Sequence, residues 1–285
     1  MIDIYMLEQL KVFAEEGTLT KAAETLNTSQ PSLTRSMKRL EDELGVTLFT
    51  RRKNYLELTQ TGKMAAEYAA HILSVTQDFK TFVRSYDRSL HTLSIGFCAP
   101  VPQAVLTPVI NNLFEGMTIS SDMSDDADFL KKLDDRVFQL AVTHSKPENP
   151  NYFSKKIGHE SLYIALTPGS PLSLYPEVHL SDLDGLTILL LSHIGFWSKV
   201  HRKKTPNSKY LLQIENDSFL ELAANSGYPV FTSSYFLNGR EQFPNRIAIP
   251  IADTECSTDY YLVCLDSEKE RYKELYDHLK EDFIK

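Results

Sequence analysis

Four apolar residues, Leu33, Met37, Leu40 and Leu44, recur at gaps of 4, 3 and 4, so at about 100° per residue they fall on one narrow stripe of a helix. Pro31, Thr34, Arg35 and Lys38 lie roughly 80 to 180° away on the same wheel, with Arg39 flanking them. The stripe has to be buried, and the opposite face gathers short hydrogen-bonding side chains and cations that suit a major groove. Thr28 or Ser29 can cap this helix, and Pro31 in its first turn gives up no amide the helix needs, so the spacing predicts a start near Ser29. Upstream, Thr20 is placed to cap a short helix that buries Ala22, Ala23 and Leu26, and Asn27 to turn the chain at its end. A first helix over 6–16 buries Leu7, Leu10 and Phe13. With the basic segment at Arg51 and Arg52, the stretch 18–62 has the spacing of a helix-turn-helix followed by a wing. An ordinary small helical bundle could carry the same three amphipathic helices, so spacing alone leaves both readings open.

The residues in these positions resemble the N-terminal domain of LysR-type transcriptional regulators. The likeness runs without a gap from the first helix through KAAETLNTSQPSLTRSMKRLEDELGVTLFTRR to LELTQTG. Gly45, Leu48, Phe49, Arg51, Leu58, Thr59 and Gly62 stand where that family's pattern has them, while Lys53, Glu57 and Thr61 depart from it around the wing. The resemblance implies a winged helix-turn-helix that reads a double-stranded DNA operator. It places Ser29, Gln30, Pro31, Ser32, Thr34, Arg35, Lys38 and Arg39 on DNA from the helix, and Arg51 and Arg52 from the wing. It also implies a small-molecule effector, a homodimer or homotetramer, RNA polymerase as a further partner, and no cofactor.

The net charge of −8 over 285 residues sits badly with nucleic acid until it is divided. Residues 1–90 carry 12 Lys plus Arg against 12 Asp plus Glu, whereas 91–285 carry 18 against 26, and within 30–53 six cations face three anions. That local basic patch is of the kind that neutralises phosphates. No apolar run approaches the ~20 residues of a membrane span, and MIDIYMLEQL lacks a basic start and apolar core, so a cytoplasmic protein without membrane contact is expected. Cys98, Cys256 and Cys264 are too few for a disulfide framework and show no zinc-type spacing, which predicts free buried thiols and no metal. A redox-responsive thiol pair is the alternative that the resemblance keeps open.

From 60 to 88 there is no proline, and Ala65, Tyr68, Ile72, Val75, Phe79, Phe82 and Tyr86 recur at gaps of 3 and 4. This heptad seam predicts a helix about 43 Å long at ~1.5 Å per residue, too one-sided to stand without a partner. Tyr68, Ile72, Val75, Phe79 and Phe82 are its dimerisation residues, and the resemblance places the family's linker helix here.

After Leu90 short β-like runs alternate with helical stretches: strand 92–97, helix 103–114, strand 117–123, helix 127–133 and strand 138–143, then strands 163–167 and 187–191, helix 196–201, strand 210–214, helix 218–225 and strand 229–231. Strands near Ile247 and over 259–265 lead to a last helix over 269–283. The fold class is α/β, with mostly parallel sheets covered by helices. By element order this half resembles the family's two-subdomain effector domain, itself similar to periplasmic binding proteins. The domains are therefore a reader over 1–59, a linker over 60–90, and an effector domain over 91–285 whose subdomains are 91–160 plus 267–285, and 161–266. Ligands in open α/β sheets sit beyond the carboxyl ends of the strands. Here those ends bring Cys98, Ala99, Pro100, His144, Ser145, Ser192, His193, Ile194, Thr232 and Ser233, with Phe97, Phe196, Trp197 and Tyr235 as nearby aromatics. At the first helix of this half Pro100 and Pro102 supply no N–H, which disfavours a carboxylate ligand at that end. An enzyme is the rival class, but no G-x-S-x-G elbow, Walker loop or G-x-G-x-x-G occurs. Ser192-His193 and His144-Ser145 are sequence neighbours of the sort that seldom face one another.

Overall fold

The computed structural model describes residues 1–52, 55–237 and 243–284, and for Arg51, Arg52 and Tyr55 the backbone alone. Two compact units emerge, 1–84 and 85–285.

In the first unit, α1 (Ile4–Glu16), α2 (Leu19–Thr25) and α3 (Gln30–Leu44) precede a hairpin of β1 (Phe49–Arg52) and β2 (Tyr55–Leu58). Then α4 (Gln60–Ser89) begins. Asp3, Thr18 and Ser29 cap α1, α2 and α3 through side-chain oxygens that accept early amides. The α2 cap is Thr18 and not Thr20, because Thr20 lies inside the helix, where its hydroxyl accepts a hydrogen bond from Gln30 Nε2 at 2.8 Å. Leu10, Phe13, Ala22, Ala23, Leu33, Met37 and Leu40 form the core, closed by Leu48 and by Phe49, whose ring meets that of Phe13 edge-on at 5.3 Å. Leu44 departs from the expected stripe: it is 41% exposed because α3 ends there, one turn beyond Leu40.

Glu41 turns inward from α3, and its Oε1 accepts the amides of Leu48 at 2.7 Å and Phe49 at 2.9 Å, which fixes the hairpin to the helix. Thr59 donates its hydroxyl to Thr47 O and accepts the Gly62 amide at 2.9 Å at the start of α4. A Cβ on Gly62 would lie 2.1 Å from Leu48 O, so only glycine lets α4 leave the hairpin this closely. The 30 residues of α4 span about 45 Å at ~1.5 Å each. Along it Tyr68 is 69%, Val75 52% and Phe79 65% exposed, with Ile72 and Phe82 also open to solvent.

The second unit is built on β3 (Thr92–Phe97), β4 (Thr118–Met123), β5 (Leu140–Thr143), β6 (Tyr152–Leu166), β7 (Thr187–Leu191), β8 (Lys209–Gln213), β9 (Val230–Ser233), β10 (Ile247–Pro250) and β11 (Ser257–Leu265). Its helices are α5 (Pro100–Leu113), α6 (Asp126–Asp134), α7 (Trp197–Lys204), α8 (Asn216–Asn225), α9 (Ser234–Leu237) and α10 (Lys273–His278). The sheet runs β4-β3-β5-β11-β6-β9-β7-β8, with β10 also on β6. Parallel pairing holds in β4-β3-β5 and in β9-β7-β8, but β6, β10 and β11 pair antiparallel, so the expectation of mostly parallel sheets is corrected to a mixed one.

The strand that changes the picture is β6, of which only the end over 163–167 is legible in sequence. Its earlier part carries Lys155, Lys156, Gly158, His159 and Glu160, a pattern without a clean apolar run. β6 pairs with β11 as far as Ser161 and with β9 from Leu162 on, so one strand serves both halves of the sheet. β11 belongs with the first half, whereas the expected second subdomain, 161–266, included it. The expected helix over 269–283 is also broken: a 3-10 turn over Asp266–Tyr272 gives way to the short α10. The chain then leaves helical geometry at Leu279, which brings Leu279 and Ile284 into the core, where the Ile284 amide donates to Ile157 O at 3.0 Å.

Among the described residues no helix is long and apolar enough to cross a membrane.

Candidate functional site

Two surfaces concentrate functional chemistry, one in each unit. In the first, α3 presents Gln30, Pro31, Arg35, Lys38 and Arg39 to solvent, with Ser29 exposed at its cap and Ser32 and Thr34 half-buried beside them. The helix fixes part of this face itself: Gln30 Nε2 donates to Thr20 Oγ1, and Thr34 Oγ1 donates back to Gln30 O at 2.9 Å. Since Glu41 is held by the hairpin amides, its charge is turned away from the cationic face. The side chains of Arg51 and Arg52 lie outside the described residues, and their backbone belongs to β1.

The second surface is a cavity of about 510 Å³. Its walls are largely apolar: Val101 and Ala104 of α5, Leu162 of β6, Leu190 and Leu191 of β7, Phe219 and Leu220 of α8, Phe231 of β9, and Phe236. Of the sequence-predicted ligand residues, Pro100, Ile194, Thr232 and Ser233 line it together. Cys98, Ala99, His144, Ser145, Ser192 and His193 do not. Cys98 and Ala99 are buried in the core; His144 stacks on Phe196 with ring centroids 4.1 Å apart; Ser145 Oγ donates to Asp126 at 2.8 Å. Ser192 Oγ and His193 Nδ1 do face one another, at 2.9 Å, against the expectation that these neighbours would not, but away from the cavity lining. Gly195 locks this crossing of loops: its φ is +60°, a Cβ there would lie 1.9 Å from Cys98 O, and the next amide, Phe196 N, donates to that same oxygen at 2.9 Å.

The polar residues of the cavity are mostly ones that sequence reasoning missed. Glu160 of β6 is fully buried, and its carboxylate accepts the Tyr260 hydroxyl. Loss of hydration raises its pKa from 4.5 to about 7, opposed by Tyr260, Ser233 and Trp197 as donors and by the charge of His159. Ser233 Oγ and Trp197 Nε1 lie near the carboxylate without reaching full hydrogen-bond geometry, and neither has another partner among the described residues. His201 is buried on α7, and burial lowers its pKa. Its Nδ1 sits 2.8 Å from Trp197 O, which can only accept, so the proton is on Nδ1 and the unpartnered Nε2 is an acceptor. Among these, Ser233 was expected as a ligand residue and Trp197 as an aromatic near the cleft, whereas Glu160 and His201 were not. Glu160 was hidden because its part of β6 was unread, and His201 carries no local signal.

Other groups carry less. Cys98 Sγ, an Asp126 oxygen and His144 Nδ1 lie within 4.8 Å of one another, a donor set that a metal could use. Asp126, however, already accepts the His144 and Ser145 amides and the Ser145 hydroxyl, and burial pushes the Cys98 thiol well up. Cys256 and Cys264 are likewise free and buried, with thiols raised to about 12 and about 11, the opposite of the low-pKa, exposed thiolate a sensor needs. Ser257 Oγ, His159 and Asp259 form a hydroxyl–imidazole–carboxylate relay at 2.9 and 2.8 Å. Lys156 holds the other Asp259 oxygen at 2.7 Å, and the His159 side chain is 53% exposed, unlike the buried relay of a hydrolase.

The chain thus combines a winged helix-turn-helix unit with an α/β unit that carries a largely apolar cavity. The chain matches the model of the bacterial regulatory helix-turn-helix protein, lysR family, over residues 4–63, and that of the LysR substrate binding domain over 87–284; it belongs to the LysR family. It is 31% identical over 161 residues to the HTH-type transcriptional regulator HdfR of Yersinia enterocolitica, covering 54% of this chain and 55% of that one. With HdfR of Salmonella newport it is 27% identical over 186 residues, 62% of this chain and 66% of the other, so the matched part spans between half and two thirds of these relatives. Vibrio fischeri DarR, solved in complex with DNA, shares the fold at a TM-score of 0.56 and 18% identity, over 98% of this chain and 100% of that one.

Proposed function

We propose that the chain is a ligand-responsive, sequence-specific DNA-binding transcription regulator, acting in the cytoplasm as a homodimer or homotetramer and not as an enzyme. The observation that carries this is the solvent face of α3, where Gln30, Pro31, Arg35 and Lys38 stand together on a helix whose other side is locked into the core. N-terminal residues of such a helix contact base edges in the major groove. Occupation of the cavity by an effector shifts how paired readers engage the operator, by at most the effector's difference in affinity between the two states. Four of the ten residues expected around the effector, Pro100, Ile194, Thr232 and Ser233, support this placement of its site. None of them needs to perform chemistry.

The test is a binding titration on the native operator. Arg35→Ala is expected to cost about 1–3 kcal/mol and to relax selectivity at one base position, as for a residue that reads a base edge. An unchanged affinity and selectivity would remove Arg35 from the contact set.

A further inference from the structure

The cavity has one acid and, among the described residues that line it, no lysine or arginine. Glu160 is buried there with donors around it and, among the described residues, no ion-pair partner, and His201 adds a second acceptor, its Nε2, which has no partner among the described residues. The start of α5, where an anion would be received in such a fold, is blunted: Pro100 and Pro102 lack amide protons and the Ala99 cap makes no side-chain bond. A carboxylate ligand would set a second anion against Glu160 among largely apolar walls, so one of the two would have to take up a proton. A fully apolar ligand would leave His201 Nε2 unpaired and the Glu160 carboxylate bonded to the neutral Tyr260 hydroxyl. A cation with N–H donors adds a charge-assisted bond to the carboxylate, which Tyr260 supplies only with a neutral donor.

We propose that the effector is a largely apolar amine whose ammonium pairs with the Glu160 carboxylate while its hydrocarbon or aromatic body fills the space between Leu162, Phe219, Leu220 and Phe231. The inference rests on the reading of this unit as the effector-sensing one and narrows the effector to a chemical class. A cavity of about 510 Å³ holds a bicyclic ring with a short side chain, within the range of small-molecule sites.

One ring with three head groups tests it: 2-(1-naphthyl)ethylamine, 2-(1-naphthyl)ethanol and 1-naphthylacetate, titrated calorimetrically into the full-length protein. The amine is expected to bind about tenfold or more tighter than the other two, as a desolvated charge pair requires. Glu160→Gln, which keeps the shape and the Tyr260 bond, should erase that preference and leave the alcohol nearly unchanged. Leu220→Trp, which narrows the cavity, should weaken all three and so locate the site. Equal binding of the three probes, tighter binding of the carboxylate, no binding of the amine, or an amine preference that survives Glu160→Gln overturns the proposal. Binding of duplex DNA, measured on the same samples across a salt series, separates the two readings. Protein that binds DNA but shows no amine preference refutes only the ligand class, whereas protein without DNA affinity refutes the regulator reading while the amine result stands on its own.

Discussion

Glu160 carries a cost that depends on pH. Its carboxyl has a pKa of about 7 in the folded protein against 4.5 when hydrated, because burial disfavours the charged form. Below about pH 4.5 the group is protonated in both states and nothing is lost. Between 4.5 and 7 the unfolded chain ionises while the folded one holds its proton, so stability falls with rising pH and levels off above 7. At roughly 1.4 kcal/mol per pKa unit the full loss is about 3 kcal/mol. The other ionisable groups around it are Tyr260 and Cys98, both held neutral by burial, the buried His201, and His159. Glu160→Gln removes the titration, so the variant should gain on the wild type by up to that amount between pH 5 and pH 8 in denaturant melts of the cavity-bearing unit. A difference that stays flat with pH would mean the carboxyl is ionised throughout. No sequence pattern flags this residue: a single acid among lysines reads as a solvated surface, and the long-range pairing of β6 with β11, where Glu160 lies opposite Thr258, is not legible locally.

At the scale of elements, legibility followed periodicity. The helices of the first unit were readable because a 3-4 stripe demands burial and because a hydroxyl or Asx side chain marks each start, even where the cap proved to be Thr18 and not Thr20. Short apolar strands such as β3 and β7 were readable for the same reason. The long β6 and the broken C-terminal segment were not, since both are held by long-range pairing: β6 by β11 and β9, and Ile284 by Ile157. The candidate cavity was legible in part. Strand ends gave Pro100, Ile194, Thr232 and Ser233, whereas residues contributed from a strand interior and from helix faces gave no signal. The attachment of the wing to α3 was equally hidden: beside the packing of Leu48 and Phe49 it uses the single carboxylate of Glu41. Charge-assisted bonds to two partly buried amides set the expected cost of Glu41→Ala at about 2 kcal/mol, with Glu41→Gln costing less because an acceptor remains. Thermal melts of the first unit should show that order. If alanine and glutamine variants melt with the wild type, the hairpin is held by Leu48 and Phe49 packing alone.

For the whole molecule the unresolved demand is the apolar seam of α4. Tyr68, Ile72, Val75, Phe79 and Phe82 lie along one side of a 30-residue helix and remain exposed in the single chain, Phe79 by 65% and Val75 by 52%. A soluble protein rarely leaves so continuous an apolar stripe uncovered, and alternating gaps of 3 and 4 suit a second copy of the same helix. Pairing through this seam would give two α3 helices per assembly, as reading of a two-half-site operator requires. Val75→Asp puts a charge in the middle of the seam at a residue that belongs neither to the cavity lining nor to the exposed face of α3, so it should dissociate the assembly while leaving each chain folded. Light scattering at low micromolar concentration should then report a monomer, with far-UV circular dichroism unchanged and operator affinity reduced because two half-sites can no longer be engaged together. A Val75→Asp protein that still scatters as a dimer would show that the seam is covered by something other than its own copy.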